Sequence, residues 1–456
     1  MSNIYAPPEG GGRKLTFFGH PFGLATLFFT EMWERFSFYG MRTLLMLFMT
    51  ADVAKGGFGF STEKATGIYG NYTMGIYFTP VLGGLIADRL LGARRSVLYG
   101  GIIIASGHFC MLLNTTPTFY LGLCLIVAGT GLLKPNASTM VGDLYAKDDP
   151  KRDAGFSIFY MGINLGAFIG PIITSYLGQK VAWHYGFGAA GFGMVLGVIQ
   201  YILGARSLGT AGQLTKKEAK TSGEPVVQPP LTRNEITRLI AICILVLFSV
   251  VFFMGFEQQG SSMNLFSDRL VNWHIFGHDL PSGLNQSIEP IYVILLAPVL
   301  AWIWTMMKNR QPSSPIKFAL GLFFLAIGNA VMVLASSMTA TPGGGDPTRV
   351  SVMWLIGAFF LIAIGELCLS PVGLSTVSQL APARFVGFMM GVWFLSISAG
   401  NKLAGMVAGT FDEKNATTLY KLFGGLAVET AVAGLILLLL TPFIKRLMAQ
   451  GDQAAQ

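Results

Sequence analysis

Residues 22–51 read FGLATLFFTEMWERFSFYGMRTLLMLFMTA. The run is long and apolar enough to cross a bilayer, whose hydrocarbon core takes about 20 residues of helix. Yet Glu31, Glu34 and Arg35 stand in one turn near its middle, with Arg42 two turns on. A charge at that depth costs roughly 3 kcal/mol on insertion scales. Such groups are therefore rare, face a bundle interior or a watery cavity, and mark function. Glu31 and Arg35 are spaced i,i+4 with the acid nearer the N-terminus, the better orientation for pairing. Tyr39 and Arg42 continue that stripe, so one helix face presents acid, base, phenol and base.

Eleven further runs follow the first, at 63–87, 96–114, 118–143, 155–178, 183–205, 236–256, 286–307, 316–338, 350–378, 385–410 and 418–444. The rest of the composition agrees. Of 456 residues, 52% are apolar and 12% charged, about half the charged share of a soluble domain, and the mean hydropathy is +0.57. The chain is therefore expected to be an all-α membrane protein with twelve transmembrane helices, its main partner the lipid bilayer. Its 57 glycines suit helices that must approach closely where no hydrophobic effect drives them together. Turn signals separate the runs at Asn114–Pro117, Asp148–Pro150 and Pro342–Pro347. The insert 257–285 leaves room for a continuation of the seventh span.

With the N-terminus placed in the cytoplasm, 20 of the 31 Lys and Arg fall in cytoplasmic segments and seven on the opposite side. That asymmetry predicts both termini inside and accounts for the net charge of +8 without nucleic acid as a partner. Met1–Lys14 lacks an apolar h-region, so a cleaved signal peptide is not expected. The polar stretch 206–233 reads as a cytoplasmic linker, flexible or loosely ordered, between a first six-helix bundle (1–205) and a second (234–456). Two such halves are a transporter architecture with a site near the midplane.

The in-span charges nearly balance: Glu31, Glu34, Glu257, Glu289 and Glu366 against Arg35, Arg42, Lys134 and Lys402, with Asn164 the notable neutral member. Near-balance predicts a paired network, since an isolated buried ion is strongly unfavourable; Lys402, late in its span, fits a snorkelling end charge instead. Pro135 follows Lys134, Pro290 follows Glu289, and Pro371 lies five residues after Glu366. Proline breaks the helical hydrogen-bond ladder, so bent helices around a wet cavity are expected. Cys110, Cys124, Cys243 and Cys368 form no CxxC pair, and neither disulfides nor a metal site is expected. HExxH, a nucleophile elbow and Walker A spacing are all missing from the sequence, which argues against a membrane enzyme; the five histidines are scattered, with surface loops the plainer explanation.

Glu31-Met-Trp-Glu34-Arg35-Phe-Ser-Phe38-Tyr39-Gly40 resembles the ExxERFxYYG motif of the proton-coupled oligopeptide transporter family (POT/PTR), within the major facilitator superfamily. Phe159-Tyr-Met-Gly-Ile-Asn164-Leu-Gly166 resembles its FYxxINxG pattern, and Gly84–Arg95 the superfamily's loop motif. Gly129–Asn136, Phe256–Ser261 and Gly365–Ser375 are also similar to family patterns, and the likeness runs from about residue 20 to 445. The resemblance implies a major facilitator fold of two six-helix bundles, in a bacterial-type peptide transporter of the inner membrane. It implies symport of protons with di- and tripeptides by alternating access, with protons as coupling ion and no cofactor, metal or catalytic residue. A monomer is expected to suffice.

By that likeness Arg35 and Lys134 hold the peptide carboxylate, and Asn164 and Glu366 the amino end. Tyr39, Tyr77, Glu289 and Trp393 complete the substrate site. Glu31, Glu34 and Glu257, with Arg35, serve proton coupling, and Arg42 with Glu257 forms an outer gate. Three departures stand out: Phe38 replaces the first tyrosine of YYG, Glu289 replaces a common asparagine, and Gly70 stands where animal members carry histidine, leaving proton sensing to carboxylates. Two extra helices common between the halves of bacterial members have no counterpart in 206–233. The chemistry fits a zwitterion, since cations opposite an acid complement its two ends. A carboxylate in low dielectric protonates more readily and a nearby cation opposes this, so a peptide engaging Arg35 or Lys134 would free a glutamate to take a proton. Nitrate or amino-acid conjugates on the same fold are the alternative cargo.

Overall fold

The computed structural model describes residues 16–146, 149, 151–214, 231–340, 346–382 and 384–449. The turn signals at Asp148, Pro150 and Pro342–Gly345, the linker core 215–230 and the polar N-terminal residues lie outside the described residues.

Thirteen α-helices follow one another along the described chain. The first half holds α1 (Gly23–Thr50), α2 (Thr62–Ile86), α3 (Ala93–Leu112), α4 (Thr116–Asp143), α5 (Arg152–Ser175) and α6 (Trp183–Gly204). The second holds α7 (Arg233–Phe256), the short α8 (Ser262–Leu270), α9 (Ile288–Met307), α10 (Ser314–Ser337), α11 (Met353–Leu380), α12 (Val386–Ala408) and α13 (Ala416–Ala449). The twelve long ones lie on the twelve apolar runs. Ten of the described helical stretches are long and apolar enough to span a membrane on composition alone. α1 and α12 fall short for opposite reasons. α1 carries Glu31, Glu34, Arg35 and Arg42, while α12 is diluted by glycine, serine, Asn401 and Lys402. The seventh span does continue: a 3-10 turn, Glu257–Gly260, leads from α7 into α8.

The chain divides into two compact units. One comprises Met1–Gly59, Gly75–Lys216 and Leu280–Pro290; the other comprises Phe60–Met74, Lys217–Asp279 and Ile291–Gln456. α2 and α9 thus each divide between the units. In the first unit an apolar core of Leu24, Leu27, Ile104, Leu133, Met140, Phe159 and Met194 joins α1, α3, α4, α5 and α6. Glycines set the spacing. A Cβ on Gly100 would lie 2.7 Å from the Gly129 carbonyl, and one on Gly129 would lie 2.6 Å from the Gly100 carbonyl. α3 and α4 therefore cross backbone to backbone. Gly100→Val is expected to force them apart and to lower the thermal midpoint of the detergent-solubilised protein, at an overpacking cost of about 1–3 kcal/mol; an unchanged melting curve would mean that the crossing yields freely.

Two local departures from the sequence reading have physical causes. Glu289 and Pro290 fall in the first turn of α9, after Ser282–Ser287 has wound as a 3-10 helix. There the missing N–H of proline costs nothing, so Pro290 starts a helix instead of bending one; Pro135 and Pro371 do lie inside α4 and α11. The first part of 206–233, read as loosely ordered, is packed: Leu208 and Ala211 are buried. Arg94 holds it, its Nε donating to the Ala211 carbonyl at 2.7 Å and its Nη2 to the Gly209 carbonyl, while the Gly212 N–H donates to Asp143 Oδ2 at 3.1 Å. Gly209 and Gly212 both take positive φ, which glycine adopts freely. In the second unit, Thr232 and Glu235 cap α7 reciprocally, and Glu235 meets Arg384 at 3.0 Å.

Candidate functional site

α1 buries the charged stripe almost completely. Glu31, Glu34 and Arg35 are 2%, 1% and 3% exposed. Arg35 Nε lies 3.2 Å from Glu31 Oε1 and 2.5 Å from Glu34 Oε2. One guanidinium thus stands between two carboxylates. The pairing leaves hydrogen-bonding capacity unspent, for Arg35 Nη2, Glu31 Oε2 and Glu34 Oε1 have no hydrogen-bond partner among the described residues. Buried polar atoms left so are uncommon and call for an explanation. A ligand bringing a carboxylate or an amine supplies one.

The neighbouring helix explains how α1 holds this position. On α5, a Cβ at Gly166 would collide with the Met32 carbonyl and lie 3.0 Å from Arg35 Cβ. The closing glycine of the FYxxINxG-like stretch is therefore the residue that lets α5 lie against the charged turn. Gly40 repeats the contact higher up, its added Cβ falling 2.6 Å from Thr174 Cγ2, and Thr174 Oγ1 donates to the Gly40 carbonyl at 2.9 Å. Asn164, two residues before Gly166, is 8% exposed and donates from Nδ2 to the Tyr160 carbonyl at 3.0 Å.

Lys134 comes from α4. Its Nζ sits 4.0 Å from the centroid of the Tyr77 ring of α2, a cation–π contact worth about 0.5–2 kcal/mol for a half-buried pair. α2 reaches it because Gly83 packs on the Gly131 carbonyl and Thr79 Oγ1 donates to the Val127 carbonyl at 3.0 Å. Lys134 is near enough to Glu31 for the two charges to act on each other. Tyr39 lies under Arg42, whose Cζ is 5.6 Å from the ring centroid. Glu289 belongs to the first unit although it follows the linker in sequence. Ser287 Oγ donates to the Phe168 carbonyl at 2.8 Å, and Gln179 clasps Ser282 Oγ and the Gly283 N–H at 2.7 and 2.9 Å. The first unit thus holds Glu31, Glu34, Arg35, Tyr39, Arg42, Tyr77, Lys134, Asn164 and Glu289.

The second unit holds Glu257, Glu366 and Trp393. Glu257, 6% exposed at the C-cap of α7, accepts a hydrogen bond from Tyr69 Oη at 2.9 Å. Glu366 lies on α11, partly exposed, beside the packing of Val293 on Ala363 and Leu367. Trp393 is 1% exposed, edge-on to Phe253 and Phe318 and pressed against Gly373. Lys402 donates from Nζ to Asn71 Oδ1 at 2.5 Å.

The description "POT family" belongs to a family model that matches residues 94–223 and 213–423, most of the chain. The chain belongs to the POT family. The Peptide transporter YePEPT of Yersinia enterocolitica subsp. palearctica serotype O:3 (strain YE-P4) is 37% identical over 508 residues, covering 98% of each chain. A Di-/tripeptide transporter of Lactococcus lactis subsp. cremoris is 33% identical over 497 residues, covering 95% of this chain and 97% of the relative. A crystal structure of peptide transporter POT in complex with sulfate matches with a TM-score of 0.87 at 37% identity, covering 95% of this chain and 97% of that one. This POT chain has the fold of the family's transporters and is a multi-pass membrane transporter, not an enzyme.

Two residues that sequence reasoning did not single out lie beside predicted site residues, one in each unit. Thr130, one turn before Lys134, is 1% exposed with an Oγ1 that has no hydrogen-bond partner among the described residues. Tyr69 reaches Glu257. It precedes Tyr77 by eight residues, close to two helical turns, and that spacing was the available signal.

Proposed function

We propose that this POT transporter imports di- and tripeptides together with protons by alternating access, working as a monomer in a bacterial inner membrane with both termini in the cytoplasm. One observation carries the reading: Arg35 stands between two buried carboxylates with Nη2 unspent, in the same unit as Lys134. A guanidinium with a free N–H edge is suited to a carboxylate, and a peptide always brings one. In this reading Arg35 and Lys134 take the peptide's carboxylate, aided by Tyr39 and Tyr77. Glu366 and Asn164 serve its amino end, Glu289 supplies a further acid, and Trp393 shapes the apolar side. Arg42 and Glu257 serve the outer gate.

Coupling follows from shared counter-charge. A carboxylate that competes with Glu31 and Glu34 for Arg35 leaves one of them without its base. A proton then stabilises the abandoned acid. Substrate and proton each raise the affinity for the other by the same factor.

Glu31→Gln and Glu34→Gln, each reconstituted in liposomes, are expected to lose proton-driven accumulation of dialanine while keeping dialanine exchange. Full concentrative uptake by both variants would overturn the coupling assignment. Competition separates cargoes: excess unlabelled dialanine is expected to block labelled dialanine, and excess nitrate to leave it unchanged. Inhibition by nitrate at similar concentrations would move the reading to an anion carrier.

A further inference from the structure

The opening of α2, residues 60–74, belongs to the second unit, and its seating is built with care around one side chain. A Cβ on Gly405 of α12 would lie 2.7 Å from Gly70 Cα, so the two backbones touch. Ser398 Oγ donates to the Met74 carbonyl at 2.8 Å, and Lys402 Nζ reaches Asn71 Oδ1. Thr73 Oγ1 donates to the carbonyl of Tyr69 itself at 3.0 Å. The Tyr69 backbone is thereby fixed on both sides. Its side chain is 0% exposed and ends at Glu257 Oε1, 2.9 Å away.

Glu257 is placed where the backbone offers little control. α7 ends there, and the chain tightens into the 3-10 turn Glu257–Gly260. The aimed O–H of Tyr69 fixes where one oxygen of the Glu257 carboxylate lies.

We infer that Tyr69 is a positioning residue for proton coupling, holding the Glu257 carboxylate through its phenol from a strap of α2 locked onto α12. The inference rests on the reading of Glu257 as a coupling carboxylate. Phenylalanine at position 69 would keep the ring and its packing and remove only the donor, so Tyr69→Phe isolates the hydrogen bond from the fold.

The test uses the full chain in liposomes, comparing wild type, Tyr69→Phe and Glu257→Gln for labelled dialanine uptake under an imposed pH gradient, for exchange without a gradient, and for the dependence of driven uptake on external pH. Tyr69→Phe is expected to lower driven accumulation by about tenfold or more, the size of a lost hydrogen bond to a charged group. Exchange should stay within about twofold, and the external-pH profile should move. Wild-type driven uptake and profile in Tyr69→Phe, with Glu257→Gln uncoupled, would overturn the role of Tyr69 alone. Equal loss of driven uptake and exchange in Tyr69→Phe would reduce it to a packing residue and overturn the inference too. Driven uptake surviving in Glu257→Gln would remove the coupling role of Glu257 and the inference with it.

Discussion

Lys134→Ala is expected to abolish uphill dipeptide uptake. The lysine stands midway along α4 with its ammonium 4.0 Å from the Tyr77 ring centroid, and its charge acts on Glu31. Alanine removes the cation and leaves the ring and the acid facing an emptied place. Losing this half-buried cation–π contact costs about 0.5–2 kcal/mol, and losing a charge-assisted hydrogen bond to the peptide carboxylate adds about 1.5–3 kcal/mol. If both fall on the loaded state, driven uptake drops by about thirtyfold or more. Lys134→Arg is not a neutral control, since a planar fork and a point charge make different contacts. Labelled dialanine uptake under an acid-outside gradient is the measurement. A variant that accumulates dialanine like the wild type would remove Lys134 from the carboxylate site.

Arg35→Ala is expected to do more damage, and to a different property. The guanidinium neutralises Glu31 and Glu34, both at most 2% exposed. Without it two buried acids face one another with their shared base gone. Breaking a buried pair in this way destabilises by about 3–5 kcal/mol, so the single variant should melt well below wild type in detergent or fail to accumulate. Adding Glu31→Gln and Glu34→Gln to it should restore much of the melting temperature, because neutral amides need no counter-ion. Transport should stay lost, since the carboxylate binder is gone. Stability rescued without transport would separate the two roles of Arg35. An Arg35→Ala protein as stable as wild type would show that the triad is not what holds α1.

Much of this was legible in the sequence because bilayer thickness sets span length and charge is costly within it. All twelve long helices lie on apolar runs that could be read directly, and the Glu31–Arg35 pair followed from i,i+4 spacing. The second contact of Arg35 did not follow. Adjacent residues do not face each other on a helix, yet the long arginine side chain reaches both Glu31 and Glu34. Tyr69 was missed because its role depends on Glu257, 188 residues away in the chain. The seat of Trp393 depends on Gly373 of the neighbouring helix, a tertiary fact with no local signal. Ordering of 205–214 came from Arg94, a residue of the loop motif, bonding to backbone carbonyls that carry no sequence signature. Pro290, near the start of the run 286–307, opens α9 instead of bending it because the first turn needs no N–H there.

The central claim is that one set of buried charges answers to both a peptide and a proton. Its most direct test is simultaneous measurement of labelled dialanine and internal pH in liposomes carrying the purified chain. Dialanine is expected to accumulate against its gradient when the outside is acid, with internal acidification alongside it. Both signals should vanish in Glu34→Gln. Dialanine entry that only equilibrates, with no proton flux and no response to the gradient, would contradict it.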